Sequence, residues 1–151
     1  MKKQLIVDPI KNGTVIDHIA AGKSFAVAEI LNLKNLDNLL LIGMNLSSKK
    51  IGKKDIIKIE NKILTEDEVN SIALISPDAT LVVIENYEVI KKYKIKIPPK
   101  VHKHIVCPNS HCITNIEEVE TEFDVMKKKK VEVRCKYCEK KYGIEQVKFK
   151  F

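Results

Sequence analysis

The sequence contains no tryptophan and only four tyrosines and four phenylalanines in 151 residues. Proteins that hold single-stranded nucleic acid stack its bases on aromatic platforms, so this scarcity counts against that class. No apolar run approaches the ~20 residues that a membrane-spanning helix needs. No signal-peptide pattern opens the chain, which makes a reducing cytoplasm the expected compartment and disfavours disulfides. Catalytic signatures are missing as well: there is no Gly-rich phosphate loop, no HExxH and no elbow-type nucleophile. Cysteine is scarce too, with four residues in all, every one of them in the last third of the chain.

Those four fall in two close pairs, Cys107-Pro-Asn-Ser-His-Cys112 and Cys135-Lys-Tyr-Cys138. Each pair can present two thiolates from a tight turn, and two such turns facing one another make an all-sulfur tetrahedral cage. That donor set suits Zn²⁺ in a closed, structural site. A redox CxxC should follow a strand and open a helix in a βαβ unit, and neither pair has that context. His111 beside Cys112 is expected to be a supporting or exposed residue rather than a ligand. Four thiolates around one Zn²⁺ leave a charge of minus two, which Arg134, Lys136, Lys140 and Lys141 are placed to offset. With four protein ligands no position stays open for water, so the metal is expected to be structural and not catalytic.

Hydrophobic residues at 44% and charged residues at 31% describe an ordinary folded chain of one domain or two small ones. The net charge of +7 invites a nucleic-acid or phosphate reading. Its excess is spread out, however, and only Lys127 to Lys130 forms a basic run. That run reads as a solvated turn between strands.

In chain order, Gln4 to Val7 is a short apolar run, followed by the turn signals Asp8-Pro9 and Asn12-Gly13. Thr14 to Ile19 is β-branched and strand-like. Ser24 to Asn32 reads as a helix with Phe25, Val27, Ala28, Ile30 and Leu31 on its apolar face. Leu39 to Ile42 reads as a compact buried strand ending at Gly43, Ser47 to Lys50 as a polar turn, and Ile51 to Ile63 as another strand. Thr65-Glu-Asp-Glu68 is a capping box that opens a helix, and its acidic residues suit the positive end of the helix dipole. Val69, Ile72 and Ala73 line that helix, and Pro77 ends it. Thr80 to Ile84 is a further strand, with an extended arm from Asn86 to Ile97.

The order is strand, helix, strand, strand, helix, strand. This is the α+β, ferredoxin-like βαββαβ arrangement, with two helices on one face of an antiparallel sheet. Pro98-Pro99 reads as a stiff linker. The expected division is therefore residues 1–97 and residues 98–151, the latter a small antiparallel β domain. Within it Val119 to Val125 and Val131 to Arg134 flank the lysine turn, and zinc compensates for a small core.

Two features of the first part bear on ligands. Asp17-His18 has the makings of an acid–base pair, but on a regular strand neighbours point to opposite faces. A hydrogen-bonded pair at a strand terminus is therefore the plainer expectation. In Lys54-Asp-Ile-Ile-Lys58, the two lysines share a face about 13 Å apart along the strand, a spacing that suits separated anionic groups such as those of a nucleoside triphosphate. On these residues alone the lysines are as readily solvated charges. Three readings stand at this point: a zinc-containing α+β protein that binds an anionic ligand, a zinc-ribbon nucleic-acid-binding protein, and a zinc-stapled adaptor with no ligand.

The chain as a whole resembles the regulatory chain of aspartate carbamoyltransferase. The resemblance rests on Gly13-Thr-Val-Ile-Asp-His18, Gly52-Lys-Lys-Asp-Ile-Ile-Lys-Ile-Glu-Asn61, Asn86-Tyr-Glu-Val89, Cys107-Pro-Asn-Ser and Cys135-Lys-Tyr-Cys-Glu139. It implies a non-catalytic subunit that binds CTP or ATP on its first domain and docks on the catalytic chain through its zinc domain, in the pathway of pyrimidine biosynthesis. By motif, it places Asp17 and His18 by the ribose and phosphate region. Lys58 and Lys92 would contact the ribose and phosphates, with Lys54 nearby, and Ile10, Tyr87 and Val89 would line the base pocket. Cys107, Cys112, Cys135 and Cys138 match the family's zinc ligands. The resemblance also implies a homodimer through the amino-terminal sheets, and neither nucleic acid nor membrane as partner. Pro9 removes one backbone donor from the implied base pocket.

Overall fold

A computed structural model describes residues 7–150. The short apolar run at the start, Gln4 to Val7, lies outside them except for Val7. The first half is built from β1 (Gly13–Ala20), α1 (Ser24–Ile30), β2 (Leu40–Ser48), β3 (Gly52–Glu60), α2 (Glu66–Ile75), β4 (Thr80–Glu85) and β5 (Glu88–Lys94). The sheet order is β2-β3-β1-β4-β5, and every neighbouring pair is antiparallel. The first four strands and two helices are the ferredoxin-like βαββαβ unit. The arm after residue 86 is not loose but adds β5 as a fifth strand.

Both helices cover one face. Ile16, Ile19, Ile57, Ile59 and Leu81 from the sheet meet Val27, Ile30, Leu31, Ile72 and Ala73, all buried. Phe25, expected on this face, is instead 68% exposed. The buried stripe of α1 runs Ser24, Val27, Ile30 at three-residue spacing, and Phe25 lies one step of ~100° off it. In α2 the capping box forms: Thr65 Oγ1 accepts the Glu68 amide at 3.2 Å, and the Thr65 amide donates to Glu68 Oε1 at 3.0 Å.

Strand β2 corrects the expectation of a short buried strand. It runs nine residues to Ser48 and is only half-buried, because it is an edge strand paired on one side by β3. Gly43 does not end it. A Cβ there would stand 3.0 to 3.1 Å from side-chain carbons of Ile56, Leu46 and Val7, so the glycine admits close approach across the sheet.

The opposite face of the sheet carries a smaller apolar group of Ile10, Val15, Ile56 and Val82, with Val7, Leu41, Leu46 and Ile84 packed around it. Asn86 and Tyr87 form the two-residue link between β4 and β5, both with positive φ, as type I′ turns require. The turn is stitched to the segment before β1: the Tyr87 amide donates to the Lys11 carbonyl at 2.9 Å, and the Asn86 amide to Asn12 Oδ1 at 3.0 Å. Gly13, with φ +139°, lets β1 begin tight against Ile59 and Asn61.

Beyond Pro98-Pro99 come β6 (Lys100–His102), β7 (Ile105–Val106), a single helical turn α3 (Ile113–Ile116), β8 (Glu122–Lys127), β9 (Val131–Cys135), β10 (Lys141–Gly143) and β11 (Lys148–Phe149). Strands β10-β9-β8-β6 form one sheet, and β11 pairs with β7. The two strands expected around the lysine turn are β8 and β9, joined by Lys128 to Lys130. They gain β6 and β10 on either side. Phe123, Val133, Ile105 and Val101 make their core, together with the buried cysteines. Leu74 of α2 belongs to this second core, and Phe149 packs against both. Asp67 of α2 also meets His104, with Oδ2 and Nε2 3.2 Å apart. Among the described residues no helix is long and apolar enough to cross a membrane.

Candidate functional site

Two sites emerge, and local chain geometry builds both. In the carboxy-terminal half, the loop from β7 into α3 presents Cys107 and Cys112, while β9 and the turn after it present Cys135 and Cys138. The four sulfurs lie within 4.8 Å of one another. Cys107 to Cys138 and Cys112 to Cys135 are each 3.7 Å apart, far longer than a disulfide bond. A tetrahedron with Zn–S bonds of ~2.3 Å sets its sulfurs about 3.8 Å apart. The donor set and spacing therefore fit one Zn²⁺ with no ligand position left over.

Neutralisation of the cluster differs from the sequence expectation. Lys136 is drawn away to Glu122 at 2.9 Å, Arg134 faces Glu139 at 4.0 Å, and Lys140 and Lys141 are exposed. Short-range donors do the work instead. Thr114 Oγ1 donates to Cys112 Sγ at 3.2 Å. Asn115 Nδ2 donates to the carbonyls of Cys107 and Asn109, both at 2.8 Å, and so fixes the first cysteine loop. Burial pushes the Cys107 thiol up to about 12, against the Asn109 amide. At Cys138 burial is outweighed by the Lys140 amide, the Asn109 side chain and the other cysteines, and the thiol falls to about 7. Thr114 and Asn115 were not singled out from sequence, although their place two and three residues after Cys112 is the signal that marks them. His111 is exposed and outside the cluster.

The second site is on the sheet face away from the helices. Strand β1 pairs Ile16 with Ile57 and then Ile19 with Asp55, so Asp17 and His18 together oppose the single residue Ile56. This is a β-bulge, and His18 takes the left-handed conformation at φ +54°. Ile16 and Ile19 both point into the helix-side core. The two residues between them are thereby turned to the other face together, which corrects the expectation that they diverge. Asp17 Oδ1 lies 2.8 Å from Lys54 Nζ and accepts the His18 amide at 2.7 Å. His18 Nδ1 is 3.1 Å from Thr80 Oγ1, a partner that sequence reading missed because it comes from β4.

Charges on this face shape each other. Burial works against the Asp17 carboxylate, but Lys54 and the His18 amide overcome it and hold the group below the usual carboxylate range. Burial and the cations Lys54, Lys50 and Lys92 push His18 down, opposed by Asp17. Lys58 is buried, and its Nζ donates to the carbonyls of Asp8 at 2.8 Å and Val7 at 3.2 Å; burial pushes its pKa down. Lys92 on β5 is exposed and shares a cross-strand row with Lys58. Ile10 is buried in the apolar group beneath. Val89 pairs with Ile84 of that group, and Tyr87 sits at the hairpin tip; both are exposed. A groove of about 520 Å³ lies elsewhere, lined by α1, α2 and the carboxy-terminal segment. Its charges are balanced, Lys23 and Lys148 against Glu29 and Glu145.

A family model described as the aspartate carbamoyltransferase regulatory chain, allosteric domain, matches residues 5–96, and one described as that chain's metal binding domain matches residues 99–148. A curated aspartate carbamoyltransferase regulatory chain from Pyrococcus horikoshii is 49% identical over 146 residues, covering 95% of this chain and 96% of that protein. That of Thermococcus sibiricus is 51% identical over 138 residues, covering 91% of each. That of Methanococcus maripaludis is 49% identical over 140 residues, covering 93% and 94%. These matches run through both halves of the chain in one order, and the zinc-ribbon reading gives way to them. The cysteine cluster is the structural zinc site of the metal-binding domain, and the chain is of the regulatory, non-catalytic kind. It belongs to the aspartate carbamoyltransferase regulatory chain family.

Proposed function

We propose that this regulatory subunit binds CTP and ATP on the open face of its first sheet and transmits their presence to an aspartate carbamoyltransferase catalytic chain held by its zinc domain. One observation carries the reading: the β1 bulge gathers Asp17, His18 and Lys54 on the face that also bears Lys58 and Lys92. Lysines on separate strands suit a chain of phosphates, because each supplies a point charge that one phosphate can meet. In this reading Lys58 and Lys92 contact the ribose and phosphates with Lys54 nearby, and Asp17 and His18 border the ribose. Ile10, Tyr87 and Val89 receive the base, partly through backbone groups.

Residues 1–97 act as the nucleotide-binding allosteric domain and residues 98–151 as the docking domain. Ile113, Ile116 and Tyr137 lie exposed beside the zinc cluster and offer apolar surface to the catalytic chain. Among the described residues β2 is an edge strand of the first sheet, and with Leu39 and Ile42 exposed near it this edge supports a homodimer through the amino-terminal sheets. Regulation follows from linkage: a nucleotide that prefers one quaternary state shifts the complex toward it, with a coupling of ~1–3 kcal/mol. CTP as the pathway's end product inhibits and ATP activates, in the cytoplasm where the first committed step of pyrimidine synthesis runs.

The test is to assay the partner catalytic chain with zinc-loaded subunit and to measure its aspartate saturation with and without each nucleotide. The reading predicts curves displaced in opposite directions by CTP and ATP. Curves that stay unchanged with an assembled complex would refute it.

A further inference from the structure

Asp55 has no part in the face just described, yet its carboxylate is fully buried on the opposite side of β3. Both oxygens are engaged by backbone amides. Oδ2 accepts from Gly22 at 3.0 Å and Ser24 at 3.2 Å, and Oδ1 accepts from Asn45 at 3.0 Å. These amides belong to different neighbours. Gly22 and Ser24 follow the end of β1, and Asn45 lies in β2. Burial disfavours the charge, but the three amides together with the Ser24 hydroxyl outweigh it and hold the carboxyl below its usual range.

The register around Asp55 shows what these bonds secure. On one side, two residues of β1, Asp17 and His18, stand opposite Ile56 alone. On the other, two residues of β2, Met44 and Asn45, stand opposite Asp55 alone, since Gly43 pairs with Ile56 and Leu46 with Lys54. Each bulge ends in a non-glycine residue with positive φ, His18 at +54° and Asn45 at +58°. Such residues are uncommon and persist where the surroundings over-determine them. Ala20 between the bulge and Gly22 is held as well, by its amide to Ser76 Oγ at 3.0 Å.

We infer that Asp55 is a positioning residue for the nucleotide site: from behind the sheet it fixes the bulge that turns Asp17 and His18 onto one face. This rests on the site reading above. A carboxylate is suited to the task because it is acceptor-only, with two oxygens that can meet three donors at once. An asparagine of the same shape turns one of those oxygens into a donor facing an amide hydrogen.

The experiment compares the zinc-loaded wild-type chain, Asp55→Asn, and Val27→Ala as a core variant whose loss of thermal stability serves for comparison. CTP affinity is measured by calorimetry, and the assigned His18 ring resonances by NMR. The expected result is CTP affinity at least about tenfold weaker in Asp55→Asn, the size typical of losing a support behind a binding group. The His18 ring signals should move in the same variant, while Val27→Ala keeps both. Unchanged His18 signals in folded Asp55→Asn, or equal loss of affinity in Val27→Ala at equal stability, would overturn the inference. If Asp55→Asn does not fold, Asp55→Ser, which keeps one acceptor without a buried charge, takes its place with the same two readouts. Wild-type chain that binds no CTP would refute the site reading itself, and the His18 signals would still decide the role of Asp55 in the bulge.

Discussion

Lys58 and Lys92 occupy the outer places of one cross-strand row, with Val15 and Val82 between them on the intervening strands β1 and β4. At ~4.8 Å between neighbouring strands, the two lysines stand about 14 Å apart across the sheet. They differ in surroundings. Lys58 is buried and tied to the segment before β1, whereas Lys92 is open to water. A charge in a dry setting is screened less than one in solvent. Lys58→Met is therefore expected to weaken CTP and ATP at least about tenfold at both low and moderate salt, in line with the worth of a hydrogen bond to a charged group. Lys92→Met should weaken them less, and mainly at low salt. Calorimetry on both variants at two salt concentrations checks the order.

If nucleotides bind as proposed, His18 makes that binding depend on pH. Its pKa is lowered from the ordinary 6.5 by burial and neighbouring lysines. Charging it therefore costs free energy in the empty site and is favoured by an arriving anion. The wild-type chain should gain affinity relative to His18→Gln as pH falls through the pKa that His18 has with the anion bound and on toward its lowered value in the empty site, and the two should run parallel at higher pH. Titrations of both proteins across that range provide the measurement.

Acid stability has the opposite sign. Asp17 and Asp55 have carboxyls held below their usual 3.8, so the stability they contribute is full above that pH and is lost as pH falls through their folded values. Asp17→Asn and Asp55→Asn should each flatten the acid limb of a stability–pH profile measured by denaturant unfolding.

Chelation should unfold the carboxy-terminal half and leave the first sheet standing. The second core includes three buried cysteines among its members, so losing the metal frees those side chains as well as the cluster. Structural zinc binding carries an apparent ~10–16 kcal/mol at neutral pH. Far-UV circular dichroism and hydrogen exchange with and without chelator should show protection lost in β8 and β9 and retained in β1 and β3.

Leu74 joins the halves, since it is 1% exposed on α2 while packing in the second core. Leu74→Ala is expected to cost ~2–5 kcal/mol. It should also separate the unfolding of the two halves into distinct calorimetric transitions.

How much of this could be read from the chain alone depends on the range of the interactions. The cysteine pairs and the Thr65 capping box are local patterns, with donors and acceptors a few residues apart, and both appear as read. The βαββαβ order follows from alternating periodicities and turn residues, and it too holds. The bulge at Asp17-His18 leaves no local mark, because it is defined by what β3 sets opposite it. A reading that assumes regular alternation sends those two side chains to opposite faces. Asp55 was invisible for the same reason: its three amide partners lie 10, 31 and 33 residues away. Leu74 and Thr80 likewise owe their roles to elements distant in sequence. The exposure of Phe25 was in principle legible from the three-residue stripe of Ser24, Val27 and Ile30, which a list of apolar residues does not resolve.

The most direct measurement is a calorimetric titration of the zinc-loaded chain with CTP and with ATP, beside Lys58→Ala. The account predicts saturable binding of about one nucleotide per chain, with competition between the two. It also predicts that the variant abolishes or greatly weakens that binding. No heat with either nucleotide, together with tight and salt-sensitive binding to an oligonucleotide, would contradict it.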